Sequence, residues 1–137
     1  MHRRKVIIVD ETVQLLVNVM GTIGVSNGRP YQYQVKAWTN VNDKHETTIV
    51  PTEGDPEFNE ELRLYQNKDA PSEFLYVDVF KTNLNGTDYV GRGTTLVPTV
   101  KNVEFYREVK LFSPEEAGLL QLSLYLMEIE VLGYGSS

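Results

Sequence analysis

Cysteine is absent from the 137 residues, so the chain has neither a disulfide nor a Cys-His nucleophile pair to build on. Histidine is scarce as well: His2 and His45 are the only two, the first near the start of the chain and the second beside Lys44 at the start of a strand-like run. Long hydrophobic runs are also missing. A membrane-spanning helix needs about eighteen or more apolar residues, and the run Val6 to Val9, which follows MHRRK, stops at Asp10 and Glu11. That run is far short of the apolar core of a secretory signal, so export is not expected and a cytoplasmic protein is. Without a secretory route, the sequon Asn85-Gly86-Thr87 reads as a turn. Positive charge is in deficit too, 13 Lys and Arg against 19 Asp and Glu, a net of −6. A balance of that sign disfavours nucleic acid and bulk attraction to anionic lipid.

What is present is an alternation of period two. Val13, Leu15, Val17 and Val19 alternate with Gln14, Leu16, Asn18 and Met20, and Leu75, Val77 and Val79 alternate with Tyr76, Asp78 and Phe80. Tyr31, Tyr33, Val35 and Ala37 form a third such run. Leu120, Leu122, Leu124 and Leu126 form a fourth, spaced as a strand rather than as a helix. Turn-rich breaks at Ser26 to Pro30, Asn40 to Lys44, Gly54-Asp55-Pro56 and Asn85-Gly86 punctuate the runs. The pattern predicts about eight strands, at 4–10, 13–20, 31–39, 46–51, 58–65, 74–80, 90–97 and 119–130, with a short edge piece between Val103 and Phe112. One helical turn is expected at Ser113 to Gly118, where a capping serine, a proline, a glutamate and a terminating glycine follow one another. Length and composition suit one domain over residues 1–132 with a flexible tail over 133–137. The expected class is all-β, an eight-stranded antiparallel Greek-key β-sandwich.

Seven segments, in order, resemble those of C2 domains. Val13 to Val19 is similar to the opening strand of that family, and Pro30-Tyr31 with Gln32 to Lys36 is similar to its "DPYVKV" strand. Lys44 to Val50 resembles "K-x-x-T", Asp55 to Glu60 resembles "NPVFNE", and Leu75 to Val79 resembles "L-x-V-x-V". Asp88 to Gly91 resembles "D-x-[IL]-G", and Gly118 to Leu124 resembles the closing "G-x-L-x-[LV]-x-[LI]". A separate strand over Lys5 to Asp10, ahead of these, implies the synaptotagmin-like strand order. At the "NPVFNE" corner, proline is expected to stop one strand, Phe58 to plug the core, and Asn59 and Glu60 to satisfy backbone groups.

The resemblance implies calcium capture by aspartates of two apical loops, yet calcium takes six to eight oxygens and several carboxylates, and the matching positions mostly lack them. Arg29 stands where the family has Asp before the proline, and Gly21 to Gly28 contains no acid. In the loop Lys81 to Gly91, Lys81 and Asn83 occupy the "D-x-D" positions, and Asp88 remains as the one residual metal-ligand candidate. No metal site and no cofactor are therefore expected. Arg29 and Lys81, if they converge, would instead offer fixed positive charge to a phosphate or carboxylate. Leu84 at the loop tip is a candidate apolar anchor, although one leucine contributes only about 1.5–3 kcal/mol on full burial. The lysine-rich strand that serves phosphoinositides in the family is represented here by Lys36, Lys44 and His45 among Asp43 and Glu46, too sparse for that role.

Catalysis finds no support. No serine has a G-x-S-x-G context, and no glycine-rich phosphate loop opens a helix. The acids Glu53, Asp55, Glu57, Glu60 and Glu61 suggest a solvated face rather than a pair for glycoside hydrolysis. The sequence thus points to a non-catalytic, calcium-independent interaction module that meets a protein partner, with weak or no phospholipid binding and at most a peripheral place at membranes. Its partner would use the apical residues Arg29, Lys81, Asn83, Leu84 and Asp88, or the acidic residues Glu57, Glu60 and Glu61. A calcium- or phospholipid-dependent membrane-targeting C2 domain is one alternative, and a carbohydrate- or ligand-binding sandwich of other topology is another.

Overall fold

The computed structural model describes the backbone of residues 4–136 and the side chains of residues 13–128. Nine strands run in the order β1 (Arg4–Ile23), β2 (Tyr31–Trp38), β3 (His45–Glu46), β4 (Val50–Thr52), β5 (Glu57–Gln66), β6 (Phe74–Asn83), β7 (Gly86–Leu96), β8 (Glu104–Phe112) and β9 (Glu116–Ser136). The hydrogen-bonded path is β3-β2-β6-β7-β8-β9-β1-β5, with β4 added on β2, and every strand pairing is antiparallel. Only the pair Arg92 and Phe112 joins β7 to β8, so the path folds there into two facing layers. This is the expected all-β sandwich, with no helix among the described residues.

The alternation set which face of each strand goes inside. Leu15, Val17 and Val19 of β1, Tyr33, Val35 and Ala37 of β2, Leu75, Val77 and Val79 of β6, and Leu120, Leu122 and Leu124 of β9 are fully buried between the layers. Each of the valine and leucine side chains among them stabilises the fold by about 1.5–3 kcal/mol relative to exposure. Where the layers turn into one another, Gly91 and Gly93 leave no room for a side chain: a Cβ on Gly93 would lie 2.4 Å from Val109 Cγ1 and 2.8 Å from the Lys110 carbonyl. The glycines are there for close approach of two backbones.

Several expectations are corrected. Residues 4–10 and 13–20 are one strand, β1, carried past a register shift between Ile8 and Asp10 and paired with β9 along its length. The leading strand on which the synaptotagmin-like order rested is therefore not separate. The strand expected at 46–51 is split into β3 and β4, because at Thr47 the side chain takes over part of the ladder, its hydroxyl accepting the Val35 amide at 3.0 Å. Glu104–Phe112 is a full nine-residue strand paired along its length with β9 and joined to β7 by one pair, rather than a short piece. Ser113 to Glu115 forms the tight turn of the β8-β9 hairpin, with the Ser113 amide bonded to the Glu115 carbonyl at 2.9 Å, rather than a helical turn. One turn of helix carries the full cost of nucleation, and pairing of the flanking strands outweighs it. The backbone of 133–136, expected as a tail, continues β9 opposite Ile7 to Arg4.

The corner after Pro56 does its expected work by a different division of labour. Phe58 packs against the core, and Asn59 adopts a left-handed backbone, φ 47°, at the register shift of β5 against β1. Glu60 accepts the Thr48 amide at 2.7 Å and the Thr48 hydroxyl at 3.2 Å. That carboxylate ties the edge of one layer to the other.

Candidate functional site

One end of the sandwich gathers the loop 24–30 between β1 and β2, the loop 53–56 between β4 and β5, the tip of the β6-β7 hairpin, and the β8-β9 turn. A single carboxylate organises the first two. Asp55 Oδ1 accepts the amides of Val25 at 2.8 Å and Ser26 at 2.9 Å, and Oδ2 accepts that of Gly24 at 3.0 Å. The Thr22 hydroxyl adds a longer contact at 3.4 Å. Burial works to raise the Asp55 pKa, but the amides of Ser26, Gly24 and Val25 together outweigh it and hold the carboxyl below the ordinary range. Ser26 also donates its hydroxyl to the Glu53 carbonyl, and Asn27 accepts the Arg29 amide at 3.0 Å. The loop is thus preset by the chain itself.

The segment Lys81 to Gly91, expected as a loop, is instead a tight hairpin. Thr82 faces Thr87 and Asn83 faces Gly86, leaving only Leu84 and Asn85 at the tip. Asn83 Oδ1 accepts the Asn85 amide at 2.8 Å, the side-chain-to-backbone bond that asparagine makes in turns. Gly86 has φ 125°, which a side chain would strain. Asp88 sits in β7 directly opposite Lys81 of β6, and Lys81 Nζ lies 4.5 Å from the Tyr31 ring centroid. Leu84 is fully exposed, and a shallow cavity of about 500 Å³ runs from it past Asn83 and Thr82 to Pro30, Tyr31 and Pro51. Of the expected apical residues, Asn83 and Leu84 share this cavity. Lys81 is directed onto Tyr31 beside it, while neither Asp88 nor Arg29 lines it.

The acidic residues are dispersed. Glu57 is exposed, Glu60 is engaged with Thr48, and Glu61 pairs with Arg63 at 3.4 Å. Among the described residues no three of His, Cys, Asp and Glu are grouped as a metal site would need. His45 lies 3.3 Å from Asp43, while His2 is outside the described residues.

A second constellation was not singled out from the sequence. Asp78, only 4% exposed on the outer face of β6, accepts Arg92 Nε at 2.8 Å, Arg92 Nη2 at 3.0 Å and the Tyr89 hydroxyl at 2.7 Å. Burial opposes the charge on Asp78, yet the Arg92 and Tyr89 hydrogen bonds prevail and hold its pKa low. Tyr89 is pushed up to about 12 by its own burial and by Asp78. Trp38 stacks on Tyr76 at 5.8 Å and is covered by Lys44 Nζ at 4.3 Å and by the Arg92 guanidinium at 5.1 Å. Lys36 pairs with Glu46 at 3.4 Å. The cations of this face are engaged with their neighbours. The available signal was an aspartate between Tyr76 and Phe80 on an otherwise aromatic face.

Solved structures share this arrangement. A protein described only as a C2 domain superposes with a TM-score of 0.64 at 18% identity, over 83% of this chain and 97% of that one. The chain has the C2 fold. A C2 domain of plant Extended Synaptotagmin 1 matches with a TM-score of 0.62 at 18% identity, over 85% of this chain and 95% of its own. CC2D1B, described as coordinating ESCRT-III activity during mitotic reformation of the nuclear envelope, matches at 0.65 and 15% identity, over 82% of this chain and 54% of its own. No sequence-family model and no curated protein matches the chain. The hairpin tip and the Asp55-bound loop lie at the same end of the sandwich, where the other loops come together.

Proposed function

We propose that the chain is a non-catalytic C2 interaction module that docks through its loop end to a protein partner, without calcium, as a contact or scaffold element. One observation carries this reading: the carboxylate best placed at the loop end, Asp55, is already engaged by the amides of Gly24, Val25 and Ser26. A calcium ion would have to displace those bonds, and among the described residues no three of His, Cys, Asp and Glu are grouped to hold one. What the loop end offers instead is a preset surface, with Leu84 exposed beside Pro30, Tyr31 and Pro51 and with Lys81 at its side. A rigid, partly apolar surface loses little conformational entropy on association, which favours a protein contact.

Exposed Leu84, with Lys81 directed onto Tyr31 beside the same cavity, also suits a peripheral lipid contact, the second reading. One leucine and isolated cations provide too little for stable attachment by themselves. Co-sedimentation with vesicles containing about one-third phosphatidylserine separates the readings. The proposal expects the chain to stay in the supernatant with calcium and with chelator alike. Calcium-dependent pelleting would overturn it.

A further inference from the structure

At the end of the sandwich opposite the hairpin tip, the two layers part around a cavity of about 850 Å³. Its walls include Val13, Leu96, Val97, Val100, Phe105 and Leu126. The inward face of β8 shows why it exists. Leu111 and Val109 are buried in the core, but the next residues on the same face are Phe105 and Arg107, half-buried, and the core does not extend over them. An arginine thus occupies a position that strand alternation assigns to the interior.

Arg107 is placed there without a carboxylate. Its guanidinium lies 5.2 Å from the Phe105 ring centroid, and Nη1 donates to the Tyr106 carbonyl at 3.1 Å. None of the ion pairs among the described residues includes it. The neighbouring cation Lys101 is neutralised by Glu128 at 2.9 Å, and Lys68 and Glu73 also line the cavity. The guanidinium keeps donors free in the fork geometry that matches a carboxylate.

We infer that this cavity binds a single-chain amphiphile with a carboxylate head, such as a long-chain fatty acid, its apolar chain between Leu96, Val100 and Leu126 and its head on Arg107. The size falls in the range of about 300–1,000 Å³ usual for small-molecule sites, and apolar walls are mixed with a few charged side chains, of which Arg107 has no carboxylate partner among the described residues. The carboxylate would supply the partner that Arg107 lacks, and the apolar chain would cover the unfilled end of the core.

The test uses dodecanoate and dodecyltrimethylammonium below their micelle thresholds and dodecanol below its solubility limit, followed by amide NMR of the full chain. Dodecanoate is expected to shift Leu96 to Val100, Phe105 to Val109 and Leu126 saturably, with the alcohol weaker and the cation weakest. Arg107→Met keeps the length and apolar stem, and should weaken dodecanoate about tenfold or more, as loss of a charged hydrogen bond implies. Arg107→Lys should restore part of that loss, and Val100→Trp, which fills the mouth, should abolish binding while the rest of the spectrum is kept. Equal affinity for dodecanoate and dodecanol, unaltered affinity in Arg107→Met, or unsaturable shifts spread over the surface would each overturn the inference.

Discussion

Asp55 and Val25 stand thirty residues apart in the chain and meet at 2.8 Å, carboxylate to amide, fixing the β1-β2 loop to the β4-β5 loop. The loop end is therefore held by one ionised group accepting three amides.

Asp55→Ala should release this loop and cost about 1–2 kcal/mol in urea denaturation, the low end for a charged hydrogen-bond acceptor because water reaches the group. The pH dependence has a definite sign. Because the folded-state pKa lies below the ordinary value, the contribution is complete above about pH 4 and is lost as pH falls through the folded value. The alanine variant should lack that acid-side loss.

Arg92→Leu leaves Asp78 buried without its bidentate partner. The expected cost is about 1–3 kcal/mol, below the ~3–5 kcal/mol of a fully buried pair, since Arg92 is 52% exposed. Asp78 then takes up a proton more readily, so the deficit relative to the parent chain should shrink on acidification, read by denaturant titration at pH 7 and pH 4. On the alkaline side, Tyr89 ionises in the folded state only near 12 against an unfolded value of 10.0, so stability should fall between those pH values. Absorbance titration of Tyr89→Phe should lose one late-ionising tyrosine and keep that of Tyr33, whose burial also raises its pKa.

Gly93→Ala places a methyl group against Val109 and the Lys110 backbone where β7 meets β8. Overpacking of this kind costs about 1–3 kcal/mol. By contrast Leu84→Ser, at a fully exposed tip, should stay within about 0.5 kcal/mol of the parent. Thermal denaturation of the two variants side by side checks the difference.

Much of the sandwich was legible because the alternation at Val13 to Val19, Leu75 to Val79 and Leu120 to Leu126 directly encodes which face is buried. The strand Glu104–Phe112 was undervalued because Arg107 interrupts its apolar face, the same residue that now opens the cavity. Ser113 to Gly118 carried genuine helix-capping chemistry, but local signals yield to the β8-β9 ladder on either side. The roles of Asp55 and Glu60 were hidden for another reason. Their partners Val25 and Thr48 lie 30 and 12 residues away, beyond any local pattern, so the acids looked like a solvated face when two of them were fastening loops. Asn, Gly and Asp mark the Lys81 to Gly91 segment as a loop in sequence, and the same composition builds a tight hairpin.

The central claim, a loop end fixed by its own chain and independent of calcium, is tested most directly by amide NMR of the full chain titrated with calcium. The account predicts that Gly24 to Arg29 and Asn83 to Gly91 keep their positions through about 100 μM metal, above the range of calcium sensors. Shifts confined to those two segments and saturating at micromolar calcium would contradict it.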